Sequence, residues 1–301
     1  MKTEIVHGIE YSKPQVVLLQ DTGIGTSEVA ARTCYDSFEN SENGSVKAFN
    51  LTNDEVKQDH NTLIRNINDI GHSDLLDQLA WTHFHHSILE HANLTYLIKG
   101  TSRGVLQEHA RHRIQSISVR STRYTMSSVI NAFVAVMINK IANTEEMFNA
   151  KDAFISLITK MDLFVTNDYN YNKIEIETIY NKLFYQLYLL GKEEFLKISI
   201  AKSSLPLLDT LGTINNMFEL LESGKKKRNV GDAFKHIVTD TWKVDMVVTF
   251  NLRSLKNYLT LRDSSAAYFQ IRWLAQAMKE ATPRKYLDLI IKSKGTHDSE
   301  A

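Results

Sequence analysis

The sequence predicts a globular chain in which long helices outweigh a few strands. Only three prolines and twelve glycines occur among the 301 residues, and a chain with so few of them has few of the breaks that end regular elements. The apolar run PQVVLLQ at 14–20 is typical of a buried strand, and the rough alternation across 92–98 predicts a second one. Helical periodicities fill much of 130–198, so a mixed fold dominated by helices is expected.

The first third of the chain is predicted to alternate between helices and polar connections. Ser27 can cap a helix that starts near Glu28. The stretch 36–62, rich in Asn and Ser, predicts a loop or insertion, with a T-x-x-E helix start at Thr52. Residues 63–82 have helical spacing, and 102–113 predict a helix that runs into irregular chain.

The rest of the chain is predicted to be mostly helical. A polar bend, TNDYNYNK, interrupts the periodicity of 130–198, Pro206 breaks the pattern again, and 223–232 is a polar loop. The segment 244–281 begins apolar and β-branched, as strands do, and continues as one or two amphipathic helices.

Composition limits the classes of function. The formal net charge is zero, from 35 basic and 35 acidic residues, which argues against a generic nucleic-acid or membrane-surface binder. The single cysteine, Cys34, allows neither an intrachain disulfide nor a cysteine-based zinc cluster, and it is expected to be a small buried residue. With neither a signal-peptide pattern nor an apolar window of membrane length, the chain is expected to be cytoplasmic and to have no membrane partner.

The segment RHRIQSISVRSTRY at 111–124 concentrates arginine and hydroxyl side chains without one acidic residue. Guanidinium groups bind phosphates in bidentate fashion and hydroxyls add directional donors, so the segment is a candidate site for a phosphorylated ligand. The alternative is a solvated basic loop. We expect the apolar residues Ile114, Ile117 and Val119 to pin the segment against a core.

The second unusual segment is HFHHSILEH, with four histidines between His83 and His91. Histidine and glutamate can bind divalent ions, but the spacing fits no standard motif, so no metal site is predicted. A polar junction between helix and strand is the plainer interpretation. The chain also has no phosphate-binding loop of the G-x-x-x-x-G-K-[ST] type and no G-x-S-x-G elbow.

Several motifs together resemble the flavin-dependent thymidylate synthases. Arg111, His112, Arg113 and, after seven further residues, Ser121 match the signature of that family. The blocks PQVVLLQDTGIGTSEVAARTCY, HHSILEH, AKSSLP and NLRSLKNYLTLR resemble other family blocks and occur in the same order along the chain.

The resemblance implies a reaction and a fold. Such enzymes methylate C5 of dUMP to give dTMP, with methylenetetrahydrofolate as carbon donor, NADPH as reductant and FAD as hydride carrier. The implied fold is α+β, with a central, mostly antiparallel sheet flanked by helices, in a homotetramer whose sites draw on several subunits. Because this family uses no cysteine nucleophile, Cys34 is given no covalent role.

The resemblance also implies roles for individual residues. Arg262 would lie against the uracil ring and favour ionisation at N3, and His85 would lie near the flavin ring and the folate site. FAD would be bound by Ser87, Arg111, His112, Arg113, Asn251, Arg253 and Asn257. The nucleotide would be bound by Glu108, Arg111, Val119, Arg120, Ser121, Thr122, Arg123, Lys202 and Arg262.

The chain departs from the family pattern at Val119, where Glu or Gln is frequent, at the adjacent Arg120, and at Lys202, where Arg is frequent. These changes leave open a related flavoenzyme with another pyrimidine nucleotide or one-carbon donor, or a flavin- and nucleotide-binding homologue without turnover. We expect a single domain over 1–301, with insertions near 36–75, 130–185 and 208–243.

Overall fold

The computed structural model describes residues 2–50, 60–141, 150–199 and 235–292. The chain is divided into two compact units. The first comprises the described residues of Lys13–Val119 and Val244–Ala301, and the second those of Lys2–Ser12 and Arg120–Lys243.

Six strands are described. In chain order they are β1 (Thr3–Val6), β2 (Ile9–Ser12), β3 (Gln15–Asp21), β4 (Asn93–Ser102), β5 (Ser116–Val119) and β6 (Lys243–Asn251). The first unit contains a four-stranded sheet in the order β3-β4-β6-β5. β3 pairs with β4 and β5 pairs with β6, both antiparallel. Thr95 contacts Thr249 at 2.9 Å, and the Gly100 amide donates to Asp245, so β4 and β6 also run in opposite directions.

The described helices surround this sheet or form the second unit. They are α1 (Gly25–Tyr35), α2 (Gly44–Lys47), α3 (His60–Asn68), α4 (Asp74–Trp81), α5 (Arg103–His109), α6 (Thr122–Ile141), α7 (Ala150–Thr159), α8 (Tyr169–Ser199), α9 (Leu252–Arg262), α10 (Phe269–Ala281) and α11 (Arg284–Ile290). A 3₁₀ segment at His86–His91 leads into β4.

The core of the first unit follows from alternation in its central strands. Every second residue is buried along β6 and along β4 as far as Ile98, as expected for a sheet that packs one face on helices. The residues concerned are Leu94, Tyr96, Ile98, Val244, Met246, Val248 and Phe250. Apolar residues of α4, α9, α10 and α11 complete the same core, among them Leu76, Leu255, Tyr258, Ile271 and Leu289.

The second unit combines the β1–β2 hairpin with helices α6, α7 and α8. The hairpin turns at His7 and Gly8, which both have positive φ. The helices pack around an aromatic cluster in which the ring centroids of Phe133, Phe154 and Tyr180 lie 5.2–5.7 Å apart. None of the helices described in either unit is both long and apolar enough to span a membrane.

The predicted α+β class and the antiparallel sheet are confirmed. The strands predicted at 14–20 and 92–98 are observed at Gln15–Asp21 and Asn93–Ser102. The polar bend predicted at TNDYNYNK is confirmed only at 166–168, which lie between α7 and α8, because α8 already begins at Tyr169. The single domain and its three insertions stay predictions, as does the helix start at Thr52, which lies with Pro206 and the loop 223–232 outside the described residues.

The predicted cap at Ser27 is wrong, because α1 already begins at Gly25 and the Ser27 side chain is buried within the helix. A Cβ on Gly25 would lie 2.4 Å from the Ile67 carbonyl oxygen, so glycine permits a close approach at this helix start.

The helix predicted across 63–82 is two helices. α3 ends at Asn68, and α4 begins after Ser73, whose hydroxyl accepts a hydrogen bond from the Leu76 amide.

The chain after 113 is not irregular throughout, since Ser116–Val119 forms the edge strand β5. The predicted loop at 36–62 contains the short helix α2 and two 3₁₀ turns.

Replacing Gly23 with alanine should destabilise the first unit. Gly23 has a φ of +73°, and an added Cβ would lie 2.6 Å from the Asn68 Cα. Backbone strain and this clash together should lower the free energy of unfolding by roughly 2 to 4 kcal/mol, measured by urea denaturation. Gly44→Ala is the matched control, because its Cβ would meet no atom within 4 Å. Equal stability of the two variants would contradict the close packing at Gly23.

Candidate active site

Helix α9 carries several of the predicted site residues on one continuous element. Asn251 caps it, since the Asn251 side-chain oxygen accepts from the Ser254 amide at 2.8 Å. Tyr258 is buried on the core side, whereas Arg253 and Asn257 are exposed. Arg262 occupies the last turn, four residues after Tyr258, so both lie on the same side of the helix.

The guanidinium of Arg262 is held by groups from a separate part of the chain. Its Nε donates to His112 Nε2 at 3.0 Å, and its Nη1 donates to the Glu108 carboxylate at 2.9 Å. The third nitrogen, Nη2, lies 3.4 Å from the Glu108 carbonyl oxygen. The fold therefore brings Arg262 together with two predicted site residues that lie 150 and 154 positions earlier in the chain. The resemblance assigns His112 to FAD, and Glu108 and Arg262 to the nucleotide.

This arrangement fixes the state of His112. Because Nε2 accepts from Arg262, it cannot carry a proton, and His112 is neutral with its hydrogen on Nδ1. Burial lowers the pKa of His112, and the positive charges of Arg262 and then Arg111 lower it further.

The hydrogen bonds of Arg262 all engage the edge of its guanidinium group. The N–H bonds of a guanidinium lie in its plane, so the contacts with His112 and Glu108 engage the edge of the group and not its face. The side chain is 18% exposed. A guanidinium held by its edge can stack its face on a flat ring.

Tyr258 and His109 lie beneath this network, and the sequence did not single them out. The Tyr258 ring centroid is 4.7 Å from that of His112, with the rings edge to face, and its hydroxyl lies 3.1 Å from His109 Nδ1. Both residues are fully buried. An aromatic residue between leucines in a helix predicts core packing, and only the folded contacts connect Tyr258 with the site.

A second group of predicted residues lies along the 3₁₀ segment His86–His91 and the residues just before it. His85 Nδ1 is 2.9 Å from the Tyr35 hydroxyl, a partner that the sequence did not indicate. Glu90 accepts from Arg253 at 2.5 Å, which connects this segment to α9. Ser87 is exposed.

Cys34 precedes Tyr35 and is exposed, so the prediction of a small buried residue is wrong. Only one side of α1 packs on the core, through Ser27, Glu28 and Ala31, and Cys34 lies on the other side.

The arginines on either side of His112 reach into solvent. Arg111 and Arg113 are exposed, and within the described ranges neither side chain forms a hydrogen bond or ion pair. The expectation that apolar neighbours pin this segment to a core is wrong, because Ile114 is 69% exposed and Ile117 and Val119 are each 36% exposed. β5 is an edge strand, so its side chains are covered less than those of β4 and β6.

The remaining predicted nucleotide residues are not brought to Arg262 by the first unit. Val119 ends β5 in that unit, whereas Arg120, Ser121, Thr122 and Arg123 belong to the second. Thr122 is the first residue of α6, and the Ser121 carbonyl accepts from the Thr125 hydroxyl. Lys202 lies outside the described residues.

Among the residues described, no three His, Cys, Asp or Glu side chains are grouped as a metal site requires.

The comparison with known sequences decides the family. The model of the thymidylate synthase complementing protein family, Thy1, matches residues 17–285. This chain belongs to the Thy1 family. A flavin-dependent thymidylate synthase of Campylobacter jejuni strain RM1221 is 29% identical over 272 residues, which cover 90% of this chain and 93% of that protein. The Wolinella succinogenes enzyme of the same name is 28% identical over 271 residues, covering 90% and 94%.

A solved structure shares the fold. Thymidylate synthase X from Helicobacter pylori, crystallised with FAD and dUMP, is similar with a TM-score of 0.54 and 23% sequence identity. The match covers 92% of this chain and 97% of that one. The Arg262–His112–Glu108 contacts thus lie in a chain that shares the fold of that structure.

The buried His109 should make the stability of this Thy1 member depend on pH. Burial is the largest cause that lowers the pKa of His109 from 6.5 to about 4, followed by the repulsion that a proton on the nearby His112 would exert. Between these two pKa values His109 is protonated in the unfolded chain but not in the folded chain. The free energy of unfolding should therefore fall as pH falls from about 7 towards 4. The loss between pH 7 and pH 5 should be about 2 kcal/mol, measured by urea denaturation.

His109→Gln should flatten this pH dependence, because a glutamine cannot take up the proton. His83→Gln, which removes an exposed histidine, is the control and should keep the wild-type slope. An unchanged slope in the His109 variant would contradict the assignment.

Proposed function

We propose that this chain is a flavin-dependent thymidylate synthase. It would convert dUMP to dTMP with methylenetetrahydrofolate as carbon donor and NADPH as reductant. The observation that carries the proposal is the guanidinium of Arg262, which is held by His112 of the R-H-R signature and by Glu108. Relatives covering most of the chain carry the same enzyme name, and a relative of the same fold was crystallised with FAD and dUMP.

The polar side chains of the first unit fit FAD as a cofactor. Arg111 and Arg113 offer two exposed cations to a diphosphate, and neither is neutralised by a carboxylate within the described chain. Bound FAD supplies a ring that accepts a hydride and passes it on. The residues proposed to hold it are Ser87, Arg111, His112, Arg113, Asn251, Arg253 and Asn257. His85, steadied by the Tyr35 hydroxyl, is proposed to lie beside the flavin ring and the folate.

Arg262 is proposed to activate the pyrimidine. Its face would lie against the uracil ring, where a fixed positive charge stabilises the negative charge that develops when N3 ionises. The C5 carbon would then form a bond to the methylene carbon of the folate and lose its proton, while the bond between that carbon and the folate nitrogen breaks and tetrahydrofolate leaves. A hydride that originates from NADPH would reduce the transferred methylene to a methyl group.

The nucleotide would be bound by residues on both sides of β5. Glu108 would lie near its sugar and base, and Arg111 would face it. The residues that would surround it are Val119, Arg120, Ser121, Thr122 and Arg123. Lys202 would meet the phosphate as a point charge. We also propose a homotetramer and a cytoplasmic location, and a single enzymatic domain whose extra length lies near 36–75, 130–185 and 208–243.

The decisive experiment is an assay of the purified protein with dUMP, methylenetetrahydrofolate and NADPH. The protein should be yellow and release FAD on denaturation, and dTMP should form only when all three substrates are present. NADPH oxidation without dTMP would favour the alternative in which Val119 and Arg120 select another pyrimidine nucleotide or carbon donor. A protein that cannot be loaded with FAD would contradict the proposal.

Arg262→Ala should retain FAD and lose turnover. Removing one positioned charge from a transition state costs about 100-fold to 1,000-fold in kcat, and we expect a loss of that order. Arg262→Lys should recover little activity, because an ammonium cannot contact His112 and Glu108 as a planar fork. Arg284→Ala is the matched control, since Arg284 is an exposed arginine of the same unit, paired with Asp288. Full activity of Arg262→Ala would refute its assigned role.

A further inference from the structure

We propose that Tyr258 is a positioning residue for Arg262, acting through the ring of His112, and that the buried His109 holds Tyr258 in place. The inference rests on the proposed function only in that Arg262 is taken to face the substrate. The positioning itself is a property of the folded first unit, and it can be tested without turnover.

The first observation is the packing of the Tyr258 ring. Its centroid lies 4.7 Å from that of His112 and 5.1 Å from that of His109, at interplanar angles of 66° and 69°. Both contacts are edge to face, which is a favoured arrangement of aromatic rings. Phe250 of β6 lies 5.3 Å from Tyr258 and 5.7 Å from His109, so the sheet supports the two side chains from below.

The second observation is the hydroxyl group of Tyr258. It lies 3.1 Å from His109 Nδ1, and both residues are fully buried. Burial raises the pKa of Tyr258 far above its usual value and lowers that of His109, so both partners are neutral. A hydrogen bond between neutral buried groups fixes the tilt of the tyrosine ring without placing a charge in the core.

The third observation connects these contacts to Arg262. His112 can accept from Arg262 Nε only when its Nε2 is unprotonated and directed at the guanidinium, which is 3.0 Å away. The Tyr258 ring covers one side of His112 and limits how the imidazole can rotate. Tyr258 and Arg262 are four residues apart on α9, so one helix carries both the donor and the ring that orients its acceptor.

Charged and titratable groups come to His112 from each of the segments around it. They are Arg111 in its own segment, Glu108 and His109 on α5, and Tyr258 and Arg262 on α9. Burial is the largest cause of the lowered pKa of His112. Removing the ring that covers His112 should therefore admit water and move its pKa up towards the ordinary value.

The test compares Tyr258→Leu with Tyr258→Phe in the flavin-loaded protein. The pKa of His112 is measured by NMR titration of ¹³C-labelled histidine, assigned with His112→Gln. We expect the pKa to rise most in Tyr258→Leu, which removes the ring, and to rise less in Tyr258→Phe, which keeps the ring but loses the hydrogen bond to His109. In the assay, kcat of Tyr258→Leu should fall about tenfold while KM for dUMP changes less than about threefold, because positioning acts on the transition state.

Tyr96→Leu is the matched control. Tyr96 is another fully buried tyrosine of the first unit, and its hydroxyl bonds to Thr282 and not to the site. It should lose stability comparably while His112 titrates as in the wild type. If Tyr258→Leu does not fold, Tyr258→Met, which refills more of the space, carries the same expectation.

A double-mutant cycle separates positioning from general destabilisation. In a His112→Ala background, Tyr258→Leu should cause little further loss of kcat, because the residue through which it acts is already absent. Additive losses, or an unchanged His112 pKa in Tyr258→Leu, would overturn the proposal. If the wild-type protein made no dTMP, the proposed function would fail, whereas the NMR titration would still decide the role of Tyr258.

Discussion

Three hydrogen bonds to the edge of one guanidinium, that of Arg262, determine how the rest of the candidate site is arranged. A partly buried arginine needs acceptors in its own plane, and His112 and Glu108 supply them. The two acceptors differ in charge. The Glu108 carboxylate balances the cation, whereas His112 must stay neutral to accept a hydrogen bond from it. Burial and the nearby positive charges lower the pKa of His112 and keep it neutral. The charge of Arg262 therefore helps to keep His112 able to accept the hydrogen bond from Arg262.

The sheet makes this contact possible by directing two helices towards each other. β4 runs directly into α5 and β6 into α9, and each helix is capped by the side chain of the last strand residue, Ser102 or Asn251. Because the two strands are antiparallel neighbours, the helices start from opposite ends of the sheet. Their last turns therefore approach each other, and Glu108 and Arg262 meet there.

The sequence predicted the elements and the chemical groups of the site but not the contacts between them. Alternation predicted the β4 strand, and the family resemblance gave separate roles to Glu108, His112 and Arg262. Their hydrogen bonds span about 150 residues and depend on which strands are neighbours, which local periodicity does not encode. β5 was missed because four exposed residues of an edge strand carry little pattern, and Cys34 was misplaced because the buried side of α1 could not be assigned.

The edge of the Arg262 guanidinium is held by protein groups, whereas its face would contact a ligand. The buried residues that fix the plane of the group therefore determine how its face is presented. A substrate ring that stacks on the guanidinium face gains from its charge only if the plane is already fixed, because reorientation during the reaction would cost the energy that positioning is meant to save. The carboxylate of Glu108 restrains one side of that plane, and the imidazole of His112 restrains the other. An imidazole can rotate about its side-chain bonds, so its restraint must come from packing. Tyr258 provides that packing from the same helix that carries Arg262, so one helix carries both the donor and the ring that packs against its acceptor.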